Sequence, residues 1–253
     1  MTETRAIILA AGVSSRMKTD TPKVLHKVCN RPMLQYVLDA CKVAGIEKTY
    51  VVVGYGAEDV KQAFTNTYDI TWVIQPEQLG TAHAVMCCTD YLKSFTGNTL
   101  VLCGDGPLIR PETLQKLIET HRNSSAALTL ATAILENPNG YGRIVRNPDG
   151  SLKEIIEHKD CSDKQLQIKE VNPSYYIFDN KTLFETLQKI KPDNIQHEYY
   201  LTDALSIILR DGRKVAAVNA LQPEEAMSAN TKQQLEQINQ IMQARLKTIS
   251  EGR

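Results

Sequence analysis

Arg16 and Lys23 are two cations that follow the first apolar run, in a string from Ala6 to Leu25 that reads AIILAAGVSSRMKTDTPKVL. The run Ala6 to Ala10 has the length and composition of a buried parallel strand. It gives way to the small-residue turn Ala11-Gly12-Val13-Ser14-Ser15, where bare backbone N–H groups can face a ligand. Arg16 and Lys23 then flank a polar loop holding Asp20 and Pro22. Backbone amides supply several weak donors, Arg a planar fork and Lys a compact charge, so the string can cradle a phosphate. It is not a Walker A loop, because the G-x-x-x-x-G-K-[ST] spacing is missing. It is not a dinucleotide fingerprint either, since Gly12 lacks a second and third glycine at the required spacing. An ordinary strand-to-helix turn followed by surface charges has the same local pattern.

A carboxylate joins the candidates. Gly104-Asp105-Gly106-Pro107-Leu108 follows the apolar run Thr99 to Cys103, and ligands in open α/β sheets collect beyond the carboxyl ends of strands. Taken alone, Asp105 is equally an Asx turn or a helix cap. No nucleophile triad is evident.

The elements that must hold these residues follow from the spacing of apolar positions. Met33, Leu34, Val37, Leu38 and Cys41 share one face of a helix that starts at Pro32 and stops at Gly45. Thr49–Val53, Ile70–Ile74 and Thr99–Cys103 read as strands. Gly54 to Gly56 turns into a helix carrying Val60, Ala63 and Phe64, and further helices are expected over Thr81 to about Tyr91 and over Pro111 to about His121. Strand and helix in alternation imply βαβ units and a mostly parallel central sheet flanked by helices. After Ala133, Arg143–Val145 and Leu152–Glu157 flank the turn Asn147-Pro148-Asp149-Gly150, a β-hairpin expected to attach to the main sheet. Val171–Phe178 reads as one strand, Lys181–Lys189 and Leu201–Leu209 as helices, and Lys214–Asn219 as a late strand. From Thr231 to Ile249 a last helix carries a stripe of Leu235, Ile238, Ile241, Met242, Leu246 and Ile249. The stripe either packs on its own domain or serves self-association.

Composition narrows the function. Lys plus Arg equals Asp plus Glu at 29 each, so no net field argues for nucleic acid or a membrane. An anionic substrate must be attracted locally. No apolar run approaches the length of a bilayer span, and Met1 to Arg5 leads straight into a strand with no signal-peptide core. The six cysteines form no C-x-x-C pair and no dense framework. A cytoplasmic protein with reduced thiols is expected.

Read as a whole, L-A-A-G-x-x-S-R-M followed by P-K-V-L resembles the signature of the sugar-phosphate nucleotidyltransferases. Within them it is most similar to the uridylyltransferase domain of the bacterial bifunctional N-acetylglucosamine-1-phosphate uridylyltransferases, from Ala6 to about Asn230. The resemblance implies an α/β, Rossmann-like nucleotidyltransferase fold over 1–230. Its nucleotide part lies over about 1–133 and its sugar part, with the hairpin, over about 134–230; a C-terminal helix follows over 231–253. In the resembling enzymes such a helix leads into an acyltransferase β-helix of hexapeptide repeats, so acyltransfer is not expected of this chain.

The implied reaction converts UTP and N-acetylglucosamine 1-phosphate to UDP-N-acetylglucosamine and pyrophosphate, in the supply of nucleotide sugar for cell wall biogenesis. Arg16 and Lys23 match the catalytic cations, and Leu9, Ala11 and Gly12 the nucleotide turn. Gln75 with Gly80-Thr81, in Q-P-E-Q-L-G-T, matches the uracil-reading segment. His83, on the helix that follows, is expected to be structural. Gly142, Glu157 and Asn172 match amino-sugar positions, and Tyr200 and Thr202 match further sugar and phosphate contacts. Asp105 and Asn230 match the ligands of Mg²⁺, which takes few protein ligands and completes its octahedron with phosphate oxygens and water.

Two departures lie near the sugar. Cys103 stands where the family usually has an aromatic residue, and Pro173-Ser174 replaces a small residue and glycine. Another sugar 1-phosphate such as glucose 1-phosphate, and a non-catalytic regulatory module, stay open as alternatives.

Overall fold

A computed structural model describes residues 2–13, 17, 19–65, 68–219 and 221–251, except for the side chain of Ile249. β1 (Thr4–Ala10) ends in the Gly12 turn, and a 3-10 turn over Lys23–Leu25 precedes the short strands β2 (Lys27–Val28) and β3 (Arg31–Pro32). α1 (Met33–Val43) buries Met33, Leu34, Val37, Leu38 and Cys41 on one face. It stops where Gly45 takes φ +86°, a conformation glycine adopts without steric cost. β4 (Thr49–Val53), α2 (Ala57–Ala63) and β5 (Ile70–Ile74) follow as the apolar runs predict.

The expected helix from Thr81 is two helices, α3 (Thr81–Met86) and α4 (Thr89–Leu92). The Thr89 hydroxyl donates to Met86 O at 2.5 Å, and Cys88 N–H turns back to Val85 O at 2.9 Å. A side chain that competes for a helical carbonyl interrupts the ladder. β6 (Asn98–Cys103) leads to α5 (Pro111–Ser124), which has proline in its first turn and ends at Ser125 with φ +50°.

β7 (Leu128–Ala131), β8 (Ala133–Ile134), β9 (Gly142–Arg146) and β10 (Leu152–Ile156) come next. After the short α6 (Asp163–Leu166) the expected single strand is split into β11 (Glu170–Asn172) and β12 (Tyr176–Asp179). Pro173 lacks an N–H for a ladder and Ser174 takes φ +65°, so the chain turns there and changes sheets. α7 (Asn180–Leu187), capped by the Asp179 carboxylate on Thr182 N–H at 2.8 Å, is followed by α8 (Asp203–Arg210), β13 (Val215–Val218) and α9 (Lys232–Glu251).

The main sheet has the order β13-β7-β12-β6-β1-β4-β5. β12 runs antiparallel to both its neighbours and every other pairing is parallel. Ile7 and Ile8 point to opposite faces of β1, are both fully buried, and belong to separate apolar clusters. Both faces of the sheet are therefore covered, and each such side chain contributes about 1.5–3 kcal/mol by leaving water. The β9–β10 hairpin is not part of this sheet, contrary to expectation. It belongs to a second, antiparallel sheet of order β10-β9-β11-β8, because β11 leaves the main sheet at the Pro173 turn.

In α9, Ile238 and Met242 are buried against Val28, Met33 and Leu108. The stripe thus packs on its own chain, and among described side chains only Leu246 of it is substantially exposed. No described helix is long and apolar enough to cross a membrane.

Candidate active site

β1 and β6 lie side by side with Leu9 opposite Cys103, and Gly104 N–H donates to Leu9 O at 2.9 Å. The Gly12 turn and the Asp105 loop therefore leave the sheet at the same place. Gln75 joins them from the end of β5, its N–H on Val53 O at 2.8 Å. These ends enclose a cavity of about 260 Å³ lined by Leu9, Ala11, Gly12, Lys23, Gln75, Gly80 and Thr81. All the described residues expected to hold the nucleotide are on it. Arg16, with Ser14 and Ser15 of the same turn, lies outside the described residues.

The loop from Gln75 to Thr81 is held by the segment before α8. Ala82 N–H donates to Tyr199 O and Tyr199 N–H to Leu79 O, both at 2.8 Å. Leu201 N–H donates to the Thr81 hydroxyl oxygen at 3.0 Å. The approach is close enough to require glycine at position 80. A Cβ there would stand 2.5 Å from Tyr199 O, and φ is +111°.

Lys23, on its 3-10 turn, carries the cation into the middle of the site. Its ammonium donates to the Asp105 carboxylate and to Asn230 Oδ1 at 2.7 Å. The Lys23 and Asp105 side chains are 16% and 15% exposed. Asn230 arrives just ahead of α9, where Gln234 N–H donates to the Thr231 hydroxyl oxygen at 3.1 Å and Asn230 N–H donates to Gln234 Oε1 at 2.9 Å. This reciprocal pairing at a helix start resembles a capping box. Asn230 Nδ2 donates to Ser228 Oγ at 2.9 Å, which turns Oδ1 toward Lys23.

One carboxylate and one amide oxygen thus converge on a single positive charge. Hard oxygen donors few in number suit Mg²⁺, and the ammonium between them stands in for a cation, so the donor set fits that ion. Among the described residues no group of three or more His, Cys, Asp or Glu gathers to cage a metal.

A second cavity, of about 520 Å³, is walled by the small sheet and includes Gly142, Glu157, Asn172 and Asn230 in its lining. Cys103 and Asp105 line both cavities, so the two adjoin at the carboxyl end of β6. Burial, helped by the nearby charges of Asp160, Asp203 and Glu198, raises the Glu157 carboxyl above its ordinary value, against a hydrogen bond from Thr202. The Thr202 hydroxyl donates to Glu157 Oε1 at 3.1 Å. Asn172 donates from Nδ2 to the Tyr176 hydroxyl at 2.5 Å and accepts Ser174 N–H at 3.2 Å. Tyr200 and Thr202 line neither cavity. Thr202 meets the second cavity only through its hydrogen bond to Glu157.

Gln78 and Glu198 also edge the first cavity, and Tyr141, Ser174 and Ser228 the second. Gln78 lies within the Q-P-E-Q-L-G-T segment, Tyr141 between two glycines and Ser174 beside Pro173, whereas Glu198 and Ser228 carry no signal in the sequence. Burial pushes the Cys103 thiol up to about 12, which keeps it a neutral group and not a nucleophile.

A family model described as a MobA-like NTP transferase domain matches residues 6–195, covering both lobes of this site up to the segment before α8. The chain belongs to that family. This NTP transferase domain is 45% identical over 241 residues to the bifunctional protein GlmU of Clostridium acetobutylicum, covering 95% of the chain and 52% of that protein. It is 48% identical over 242 residues to the bifunctional protein GlmU of Alkaliphilus oremlandii, again over 52% of that relative. The NTP transferase chain spans about half the length of the curated relatives it matches. In solved structures its fold resembles a UDP-glucose pyrophosphorylase complexed with UDP-glucose, with a TM-score of 0.76 at 16% identity over 96% of this chain and 99% of that one. It also resembles a Bacillus anthracis protein assigned as a glucose-1-phosphate thymidylyltransferase and solved with sucrose, with a TM-score of 0.77 at 20% identity over 94% of both chains.

Proposed function

We propose that this NTP transferase domain is a uridylyltransferase that makes UDP-N-acetylglucosamine and pyrophosphate from UTP and N-acetylglucosamine 1-phosphate. The observation that carries the reading is the junction of two cavities at Lys23, Asp105 and Asn230. A nucleotide in one and a sugar phosphate in the other would meet at that cluster. The GlmU relatives, at about 45% identity over nearly the whole chain, support the class of enzyme, and the choice of nucleotide and sugar rests on the motif resemblance at Gln75, Gly80 and Glu157.

A sugar-phosphate oxygen forms the new bond to the α-phosphorus as the bond from that phosphorus to the bridging oxygen breaks, and pyrophosphate leaves with the electron pair. The attacking phosphate has its second pKa near about 6 and is largely dianionic at neutral pH, so no general base is required. Catalysis then consists of alignment and charge neutralisation. The Gly12 turn, Arg16 and Lys23 bind the triphosphate, Gln75 and Gly80 hold the base, and Glu157 binds a sugar hydroxyl with Thr202 behind it. Asp105 and Asn230 would hold Mg²⁺, which when bound supplies neutralising charge to the phosphate oxygens. The nucleotidyltransferase unit is assigned to 1–230 with α9 as its C-terminal brace, and its place of work to the cytoplasm.

Pyrophosphate release with UTP, Mg²⁺ and N-acetylglucosamine 1-phosphate, beside glucose 1-phosphate and CTP controls, tests this. Selective release with the first pair is expected. Release only with another pair overturns the sugar or base, and silence across the panel in a folded protein that binds UTP overturns catalysis.

A further inference from the structure

Gln75, one of the residues lining the nucleotide cavity, is 4% exposed, and its amide orientation is dictated by its neighbours. Nε2 lies 3.2 Å from Gly80 O and 3.1 Å from His83 Nδ1. A carbonyl oxygen only accepts, so the amide nitrogen must be on that side. One amide hydrogen goes to Gly80 O, and the other is left for His83 Nδ1. The imidazole can accept it only in the neutral tautomer with its proton on Nε2. Oε1 is the remaining polar atom of the side chain. It has no hydrogen-bond partner among the described residues, and Gln75 is one of the residues that line the cavity.

We infer that His83 is a positioning residue that sets the base selectivity of this cavity by holding Gln75 with its carbonyl oxygen toward the base. The inference rests on the nucleotide reading of this cavity given above. A nearly buried acceptor without a partner takes a ligand edge that donates, such as the ring N–H of a uracil-type imide. It rejects an edge that presents a ring lone pair at the same point, as cytosine does, because two desolvated acceptors would face each other.

Gln75 could serve cytosine only by turning its amide over. That rotation would break both Nε2 contacts and set Oε1 against the Gly80 carbonyl. The acceptor-only Gly80 carbonyl forbids the turn, and His83 adds to that as long as its ring proton stays on Nε2, since with the proton on Nδ1 the ring would donate to Oε1. The ring also lies 6.4 Å from the Tyr199 ring, on the segment that zips to Leu79 and Ala82. It is therefore held from the same side as the loop it braces.

The test is pyrophosphate release and calorimetric binding with UTP and with CTP, on the wild-type protein, His83→Ala and His83→Asn. Removing one net hydrogen bond to the amide is worth roughly tenfold. His83→Ala is therefore expected to lower the UTP-to-CTP preference about tenfold through KM, with kcat for UTP within about threefold of wild type. Asparagine can put its carbonyl oxygen near the position of Nδ1, so His83→Asn is expected to restore most of the preference.

A wild-type protein that binds UTP and CTP equally overturns the inference. So does a His83→Ala protein that keeps the wild-type ratio. Wild-type protein that binds UTP selectively but releases no pyrophosphate overturns the reaction proposed above, and the binding ratios of the variants still decide the role of His83.

Discussion

Lys23 Nζ donates to Asn230 Oδ1 at 2.7 Å, a contact between residues 207 positions apart. It closes the site from both ends of the fold, joining the turn after β1 to the residue just ahead of α9. The Asp105 carboxylate shares the same ammonium. A partly buried charge with two oxygen acceptors is oriented before any ligand arrives, and such preorganisation is what a developing phosphate charge needs.

Lys23→Ala is therefore expected to cut kcat at least about a hundredfold with little change in thermal stability. Asp105→Asn should do the same, because it removes the negative partner and leaves the shape. Lys23→Arg should not rescue, since a planar fork replaces a compact charge between two converging oxygens. Steady-state pyrophosphate release with thermal melts on the three proteins checks this. Near-normal turnover in Lys23→Ala or Asp105→Asn would remove the residue from the catalytic set.

Gly80→Ala should fail through the backbone. Its φ of +111° and the 2.5 Å approach of Tyr199 O leave no room for a Cβ. Strain of this kind costs on the order of 1–3 kcal/mol. The loop must retreat from Tyr199 and carry Gln75 and Thr81 with it. A lower melting temperature together with a raised KM for UTP is expected. A raised KM without loss of stability would mean that the loop tolerates the side chain and only the ligand does not.

Acid should weaken the fold through His121. The ring is 3% exposed and its Nδ1 lies 2.9 Å from the Thr129 hydroxyl. Burial pushes it down to about 4, against the pull of Asp179. Unfolded, it titrates near about 6.5. Between these values the unfolded chain binds the proton and the folded one does not, so stability falls as pH drops through that window. Urea unfolding near pH 7.5 and near pH 5 should differ by about 2 kcal/mol from this group alone. His121→Asn should shrink that difference, even though it lowers stability at the higher pH.

The parallel strands were legible because they are continuous runs of apolar and β-branched residues. Ile70–Ile74 and Thr49–Val53 have the bounds the sequence predicts. The strand from Val171 was not, since its apolar content outweighed one proline. The break at Pro173 and Ser174 also moved the hairpin to a second sheet, because the strand it pairs with, β11, lies on the far side of that turn. The site divides in the same way. Asp105 at a strand end follows from the general rule for α/β sheets. Asn230 does not, because no spacing rule joins it to Lys23 and only a resemblance suggested the match. His83 was expected to be structural, and its contact with Gln75 depends on how the intervening loop folds back.

The second cavity, proposed above for the sugar phosphate, gives the last prediction. Glu157 is raised above its ordinary value chiefly by burial, and Thr202 donates to its Oε1 at 3.1 Å. Thr202→Val removes that donor and keeps the shape, so the carboxyl should become harder to ionise. If ionised Glu157 accepts from a sugar hydroxyl, the KM for the sugar 1-phosphate rises in Thr202→Val and rises further as pH falls, while the KM for UTP holds. Glu157→Gln keeps an acceptor without the charge. It should raise the sugar KM by roughly tenfold, in line with loss of a hydrogen bond to a charged group, and it should abolish the added pH dependence. A pH-independent KM in both the wild type and Thr202→Val would show that the ionisation of Glu157 does not govern sugar binding.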